Sequence, residues 1–135
     1  MEKFTQELVI GVEAIDNQHR EIFMLFNNLQ EAVEQKKASA NIEEIFRFLD
    51  NYVNTHFSTE EEYMQKYAYP AYDVHRAQHE KFFEELAGKK HDYLKVGEAV
   101  RTDMVVWLYF WFRKHILSVD KRMGEFLKSK IEARA

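Results

Sequence analysis

The chain contains no cysteine, one proline and four glycines among its 135 residues. Without cysteine there are no disulfides, thiolate metal sites or cysteine nucleophile, and imidazole and carboxylate remain as the available chemistry. So little proline and glycine leaves the backbone almost unpunctuated, which favours a few long helices over many short strands. A long basic run is also missing. The formal charge of −4 and isoelectric point near 5.9 argue against nucleic acid or an anionic membrane surface as the main partner. The longest apolar run, MVVWLYFWF from Met104 to Phe112, is followed at once by Arg113 and Lys114. It is too short to cross a bilayer, so no membrane insertion is expected. The opening MEKFTQELVI lacks the apolar stretch and cleavage site of a signal peptide. Cytoplasm is therefore the expected compartment, and a monomer the default state.

What is present suits one compact domain. Hydrophobic residues make up 46% and aromatic residues 15%, enough for a real core in a chain too short for two domains. Residues 1–135 are expected to form that single domain, with residues 1–12 as an arm laid against it.

The hydrophobic pattern is helical. Ile15, His19, Ile22, Phe23, Phe26 and Val33 follow the three-and-four spacing of one buried stripe. A second stripe runs Ile42, Ile45, Phe46, Leu49, Val53, His56 and Glu60, and a third runs Ala71, His75, His79, Phe82 and Leu86. A fourth begins Met104, Leu108, Trp111 and His115, then resumes as Asp120, Met123, Leu127 and Ile131. In each case polar residues sit on the inward face. The five-residue step from His115 to Asp120 breaks the rhythm, because five α-helical positions leave two side chains roughly 140° apart. An extra residue taken up as a π-bulge would restore the phase, and such bulges recur at functional sites. The spacing predicts one near residues 115–120.

The breaks between stripes are short. They are QKKASA before an expected Asn41 cap with Glu44 three residues on, KYAY before Pro70 at a helix start, and GKKHDYLKVG around residues 88–97. Long amphipathic helices with short connections predict an all-α, up-down-up-down four-helix bundle with an N-terminal arm. Alternating helix direction then brings His19, His56, Glu60, His75, His79, His115 and Asp120 toward the same end.

Five imidazoles and two carboxylates in an apolar core cost several kcal/mol each unless satisfied. A pair of metal ions satisfies them together. Imidazole suits iron, zinc, copper or nickel, whereas magnesium and calcium call mostly for oxygen. If two octahedral ions share two bridging carboxylates and one bridging oxygen from water, the five histidines leave one position of the twelve open. Zinc, which prefers four ligands, fits seven protein donors less naturally. Iron is the expected metal.

The ordered set His19, His56-x3-Glu60, His75-x3-His79 and His115-x4-Asp120 resembles the hemerythrin family, most closely the single-domain bacteriohemerythrins. DNQHREIF, HFSTEE, YP and HILSVD are similar to family wording around the ligands. The resemblance covers essentially the whole chain. It implies two iron ions with a bridging oxo or hydroxo group, which bind dioxygen reversibly as hydroperoxide at one open iron position. Carried over, His75, His79 and His115 would hold one iron and His19 and His56 the iron with the open position, with Glu60 and Asp120 bridging. Ile22, Phe57, Trp111, Phe112 and Ile116 would wall the oxygen pocket with apolar surface. Ile22 and Phe112 stand where the family often has leucine, and Ile10 where bacterial members often have tryptophan; these departures bear on oxygen affinity and autoxidation.

Singly, each feature has a plainer reading. His75 and His79 alone would be ordinary helix-surface residues, and RAQ between them lacks the glutamate of a zinc-protease motif. Glu61 and Glu62 read as a solvated face, and His91 as an exposed loop residue. The joint pattern gives a site for one small ligand; the resemblance implies dioxygen as that partner, with nitric oxide or other small anions as further ligands. The expected function is an oxygen carrier, store or delivery protein and not an enzyme. The alternatives are an oxygen or redox sensor, or a diiron oxidase, peroxidase or nitric oxide-handling enzyme. Ferritin-like diiron enzymes use Glu-x-x-His pairs, which no histidine here matches.

Overall fold

The computed structural model describes residues 4–36, 39–95 and 98–134, including side chains except at 39–42, 90–95, 98–102 and 134. Among the described residues five α-helices follow in order: α1 (Glu13–Glu34), α2 (Ser39–Lys66), α3 (Tyr72–Lys95), α4 (Glu98–His115) and α5 (Lys121–Arg134). A π-helical segment, Ile116–Asp120, joins α4 to α5 without a break, so the last three elements make one long fourth helix. The π-bulge expected from the five-residue step is therefore present. Helix α1 packs on α2, α2 on α3, α3 on α4, and α4 back on α1, closing a four-helix bundle. There is no strand among the described residues.

The buried stripes follow the sequence pattern, except that Ile45 and Ala71 are only partly buried and the side chain of Ile42 lies outside the described residues. Ile15, His19, Ile22, Phe23, Phe26 and Val33 of α1 are buried, as are Phe46, Leu49, Val53, His56 and Glu60 of α2. Helix α3 buries His75, His79, Phe82 and Leu86. The fourth helix buries Met104, Leu108, His115, Asp120, Met123 and Leu127, while Trp111 and Ile131 are only partly covered. Ordered clusters of aromatic rings fill the centre. Phe82 stacks on Trp107, 5.3 Å between centroids, and meets Phe112 edge-on at 5.4 Å, both within the favourable range for ring pairs.

Two helix boundaries differ from expectation. Helix α2 starts at Ser39, which places Asn41 inside the helix instead of at its cap; its side chain lies outside the described residues. Nothing in SANIEE opposes helix, and Ala40 favours it. Helix α3 runs on to Lys95, through Gly88, where an added Cβ would meet nothing within 4 Å. One solvent-facing glycine costs a helix only about 1 kcal/mol, too little to end it. The stretch expected to break at 88–97 is thus helical through residue 95; residues 96–97 and the side chain of His91 lie outside the described residues.

The turn after α2 closes tightly. Tyr69 donates its backbone N–H to Met64 O at 2.8 Å, around Ala68 in the left-handed region at φ 55°. Pro70, expected at a helix start, lies in the turn two residues before α3 begins at Tyr72. The N-terminal arm is tied in place through a short 3-10 turn, Gln6–Leu8. Leu8, Ile10 and Val12 are buried. Asp16, in the first turn of α1, accepts the N–H of Ile10 at 2.8 Å and of Gly11 at 3.1 Å. Gly11 has φ +93°, a conformation strained for any side chain. The arm then passes over Gly124 of α5, where an added Cβ would collide with the Ile10 carbonyl and come within 2.8 Å of the Ile10 side chain. Arg113 pairs with Glu7 beside it.

Candidate metal centre

The bundle places His19 on α1, His56 and Glu60 on α2, His75 and His79 on α3, His115 at the end of α4 and Asp120 at the end of the π-helical segment. All seven are buried, and the structure brings them into one cluster. They form two groups of potential metal donors, with the atoms of each within 4.8 Å of one another: Glu60, His75, His79, His115 and Asp120, and His19, His56, Glu60 and Asp120.

The two carboxylates belong to both groups and divide their oxygens between them. Glu60 turns Oε1 to His75 Nε2 and His79 Nε2, both at 3.1 Å, and Oε2 to His56 Nε2 at 2.8 Å and His19 Nε2 at 3.3 Å. Asp120 turns Oδ1 to His75 Nε2 and His115 Nε2, each at 3.1 Å, and Oδ2 to His19 Nε2 at 3.2 Å. The π-helical segment makes this possible, because it returns Asp120 to the buried face five positions after His115.

Tautomers decide what those short distances mean. Thr59 Oγ1 donates to Thr55 O at 3.0 Å, and so accepts from Gln18 Nε2 at 3.1 Å. That turns Gln18 Oε1 to His56 Nδ1, 2.8 Å away, which must be the protonated nitrogen. Glu61 Oε2 accepts likewise from His79 Nδ1 at 3.0 Å, and Gln78 Oε1 from His115 Nδ1 at 3.1 Å. The Nε2 atoms of His56, His79 and His115 then carry lone pairs and have no hydrogen-bond partner, nor do the two oxygens of Asp120. Lone-pair atoms facing one another at 2.8–3.1 Å repel unless a cation lies between them. Six donors about 2.1 Å from a first-row metal ion stand about 3.0 Å apart when adjacent and about 4.2 Å when opposite. The observed spacings match such a shell, so the residues fit a bound metal.

Electrostatics keeps the carboxylates ionised. Burial works to raise Glu60, but the imidazoles of His56, His19 and His75 outweigh it and hold the carboxyl well below its usual 4.5. Burial and the charge of Glu60 push Asp120 up, and the imidazoles of His115 and His19 bring it well below 3.8. His19 and His75 are opposed by burial, yet their contacts with Asp120 and Glu60 raise each from 6.5 to about 9. Burial dominates at His56, which is lowered.

Apolar side chains surround the cluster unevenly. Phe57 stacks on His79 at 3.8 Å and also lies 5.7 Å from His56, so it borders both groups, while Trp111 stacks on His115 at 4.5 Å against the three-histidine group. Phe112 faces His56 at 6.4 Å and is fully buried, as are Ile22 and Ile116. A surface cleft of about 390 Å³ borders His115, lined in part by Gln78, Lys81, Trp111 and Lys114. Gln18, Gln78 and Glu61 were not singled out by the sequence pattern, because none lies on a buried stripe. Glu61, expected on the solvated face, is partly buried and faces His79; only its position beside Glu60 hinted at a role.

A four-helix bundle with histidines and carboxylates converging in its core defines a helical-bundle metal-binding protein. The comparisons make the class specific: residues 10–127 match the family described as Hemerythrin HHE cation binding domain, and the chain belongs to the hemerythrin family, whose members bind non-heme iron and oxygen. It is 35% identical over 130 residues to a bacteriohemerythrin of Methylococcus capsulatus, covering 91% of this chain and 93% of that protein. It is 30% identical over 125 residues to a bacteriohemerythrin of Stenotrophomonas maltophilia, covering 93% and 80%. A crystal structure of a hemerythrin with a leucine-to-alanine substitution superposes with TM-score 0.83 at 30% identity, over 95% of this chain and 97% of that one. No described helix is long and apolar enough to cross a membrane.

Proposed function

We propose that this chain, as one domain over residues 1–135, binds dioxygen reversibly at a non-heme diiron centre and serves as an oxygen carrier or store, not as an enzyme. The observation that carries the reading is the set of buried, unprotonated imidazole nitrogens aimed at carboxylate oxygens that are themselves split between two histidine groups.

In this reading His75, His79 and His115 hold one iron, His19 and His56 hold the other, and Glu60 and Asp120 give one oxygen to each. The three-histidine group then offers five protein donors and the two-histidine group four. If a bridging oxygen completed the pair, the three-histidine position would be filled and the two-histidine position would keep one place for a small ligand. Bound iron would supply the electrons that dioxygen takes on binding and returns on release.

The chain's own contribution is orientation and dryness. Gln18, Gln78 and Glu61 hold three imidazoles in the tautomer that presents Nε2. Phe57 and Phe112 lie 5.7 and 6.4 Å from His56 of the two-histidine group, and Ile22 and Ile116 add buried apolar surface to the same core. None of these side chains can donate a proton, which favours release of oxygen unchanged over its expulsion as peroxide.

The test is anaerobic reconstitution with Fe(II), iron counted per chain, and visible spectra before air, in air and after degassing. Two irons and a visible band that appears with oxygen and disappears on its removal are expected. Rapid, irreversible oxidation would move the reading to a redox enzyme or sensor, and failure to bind two irons would overturn it.

A further inference from the structure

The five histidines of the cluster are not held alike. His56 and His115 each give their Nδ1 proton to a neutral amide oxygen, from Gln18 and Gln78. The Nδ1 atoms of His19 and His75 have no partner among the described residues. Among the described residues, His79 alone of the five gives its Nδ1 proton to a carboxylate, Glu61 Oε2, at 3.0 Å. The other oxygen of Glu61 lies 3.8 Å from Arg76 Nε, and Arg76 is more than half exposed and shared with Glu80 at 3.4 Å. Water therefore screens the arginine's charge, while the contact between Glu61 and the buried imidazole is direct.

We propose that Glu61 is a positioning residue for the metal centre: through His79 it places negative charge behind the three-histidine position and makes that position the stronger binder of an oxidised metal. The inference rests on the ligand reading above. A carboxylate that accepts the far proton of a ligating imidazole fixes the ring's orientation and pushes electron density toward the coordinating nitrogen. An amide accepts the same proton without a full charge. Phe57, stacked on His79 with ring planes 7° apart, limits the other motion of the ring, so the carboxylate acts on an imidazole already fixed in tilt.

The two kinds of partner supply their own exchange experiment. Glu61→Gln keeps an acceptor of the same shape and removes the charge, whereas Gln78→Glu adds a charge behind His115 in the same group. Metal content, Co(II) affinity by chelator competition and the ferric/ferrous midpoint potential would be measured for both variants and the parent. Glu61→Gln should bind two metals per chain with about 10-fold lower affinity at one position, and Glu61→Ala up to about 100-fold lower, in the range of lost outer partners of metal ligands. Its potential should move upward, and that of Gln78→Glu downward. Circular dichroism of the metal-free chains checks that the bundle is intact.

A structural role alone would lower stability in Glu61→Gln without shifting the potential, and would give Gln78→Glu no opposite effect. Unchanged affinity and potential in both variants, with two metals still bound, overturns the role of Glu61 and leaves the metal centre standing. Failure of the parent chain to bind two metals overturns the ligand reading instead.

Discussion

The imidazole of His79 lies flat on the ring of Phe57, with centroids 3.8 Å apart and planes 7° from parallel. Phe57 is also nearly parallel to Phe112 at 5.8 Å and edge-on to Phe82 at 5.5 Å. One phenyl ring thus connects a histidine of the cluster to the main aromatic core.

Replacing Phe57 with alanine should therefore do two things. The cavity should destabilise the chain by about 3–5 kcal/mol in urea unfolding. Metal content should fall as well, since His79 loses the surface that holds its plane. Phe57→Leu should recover most of the stability and less of the metal affinity. A loss below about 1 kcal/mol for the alanine variant would show that the ring is not part of the packed core.

Removing a proposed ligand should have opposite weight in the two forms of the protein. His56→Ala and His79→Ala should each lower iron content and the melting temperature of the iron-loaded chain together, because metal binding is coupled to folding. The metal-free chains should differ much less, since each substitution also removes a buried polar atom without a hydrogen-bond partner. Retention of two irons per chain by either variant would count against its assignment as a ligand.

The metal-free chain should lose stability as the pH rises through about 9. His19 and His75 are raised from 6.5 to about 9, so their contribution is full below pH 6.5 and disappears as they deprotonate near 9. Glu60 and Asp120 are lowered, so their contribution is present above their usual values of 4.5 and 3.8 and is lost only in strong acid. His56, lowered by burial, works against the folded form below pH 6.5. Metal uptake at pH 7 should release the protons of His19 and His75, measurable with a weakly buffered indicator, and release should vanish well above pH 9. Loading without proton release at pH 7 would show that those imidazoles are already neutral.

Gly124→Ala should free the N-terminal arm. Alanine favours the helix by about 1 kcal/mol, but its Cβ would collide with the carbonyl of Ile10, which is backbone and cannot rotate away. The arm yields before α5 does. Hydrogen exchange at the amides of Ile10 and Gly11, now held by Asp16, should speed up at least about 10-fold. Unchanged exchange at both amides would mean that the arm is fixed elsewhere.

Much of this was legible because burial imposes a period on sequence. His19, His56, Glu60, His75, His79 and His115 fall on the apolar stripes of their helices, and the five-residue step to Asp120 disclosed the π-helical segment. Gln18, Gln78 and Glu61 were not legible in that way, because each reaches a histidine on another helix. Their partners depend on how two helices are rotated against each other, which local spacing does not record. Residues 88–95 were misread for a different reason: glycine, lysines and an isolated histidine look like a loop, yet the helix runs through them to Lys95. Local propensity of about 1 kcal/mol per residue is readily overruled by the packing of the rest of a helix.

The π-helical segment also determines where the fourth helix can change its length. Five residues there complete the turn that four complete in an α-helix. A one-residue deletion within 116–119 would restore regular helix and keep Asp120, Met123 and Leu127 on the inward side. The same deletion within α4 would rotate everything on one side of it by about 100° and carry His115 or the core stripe toward solvent. The wide turn is thus a splice joint, the one stretch of the fourth helix whose residue count can be edited without taking its two halves out of phase.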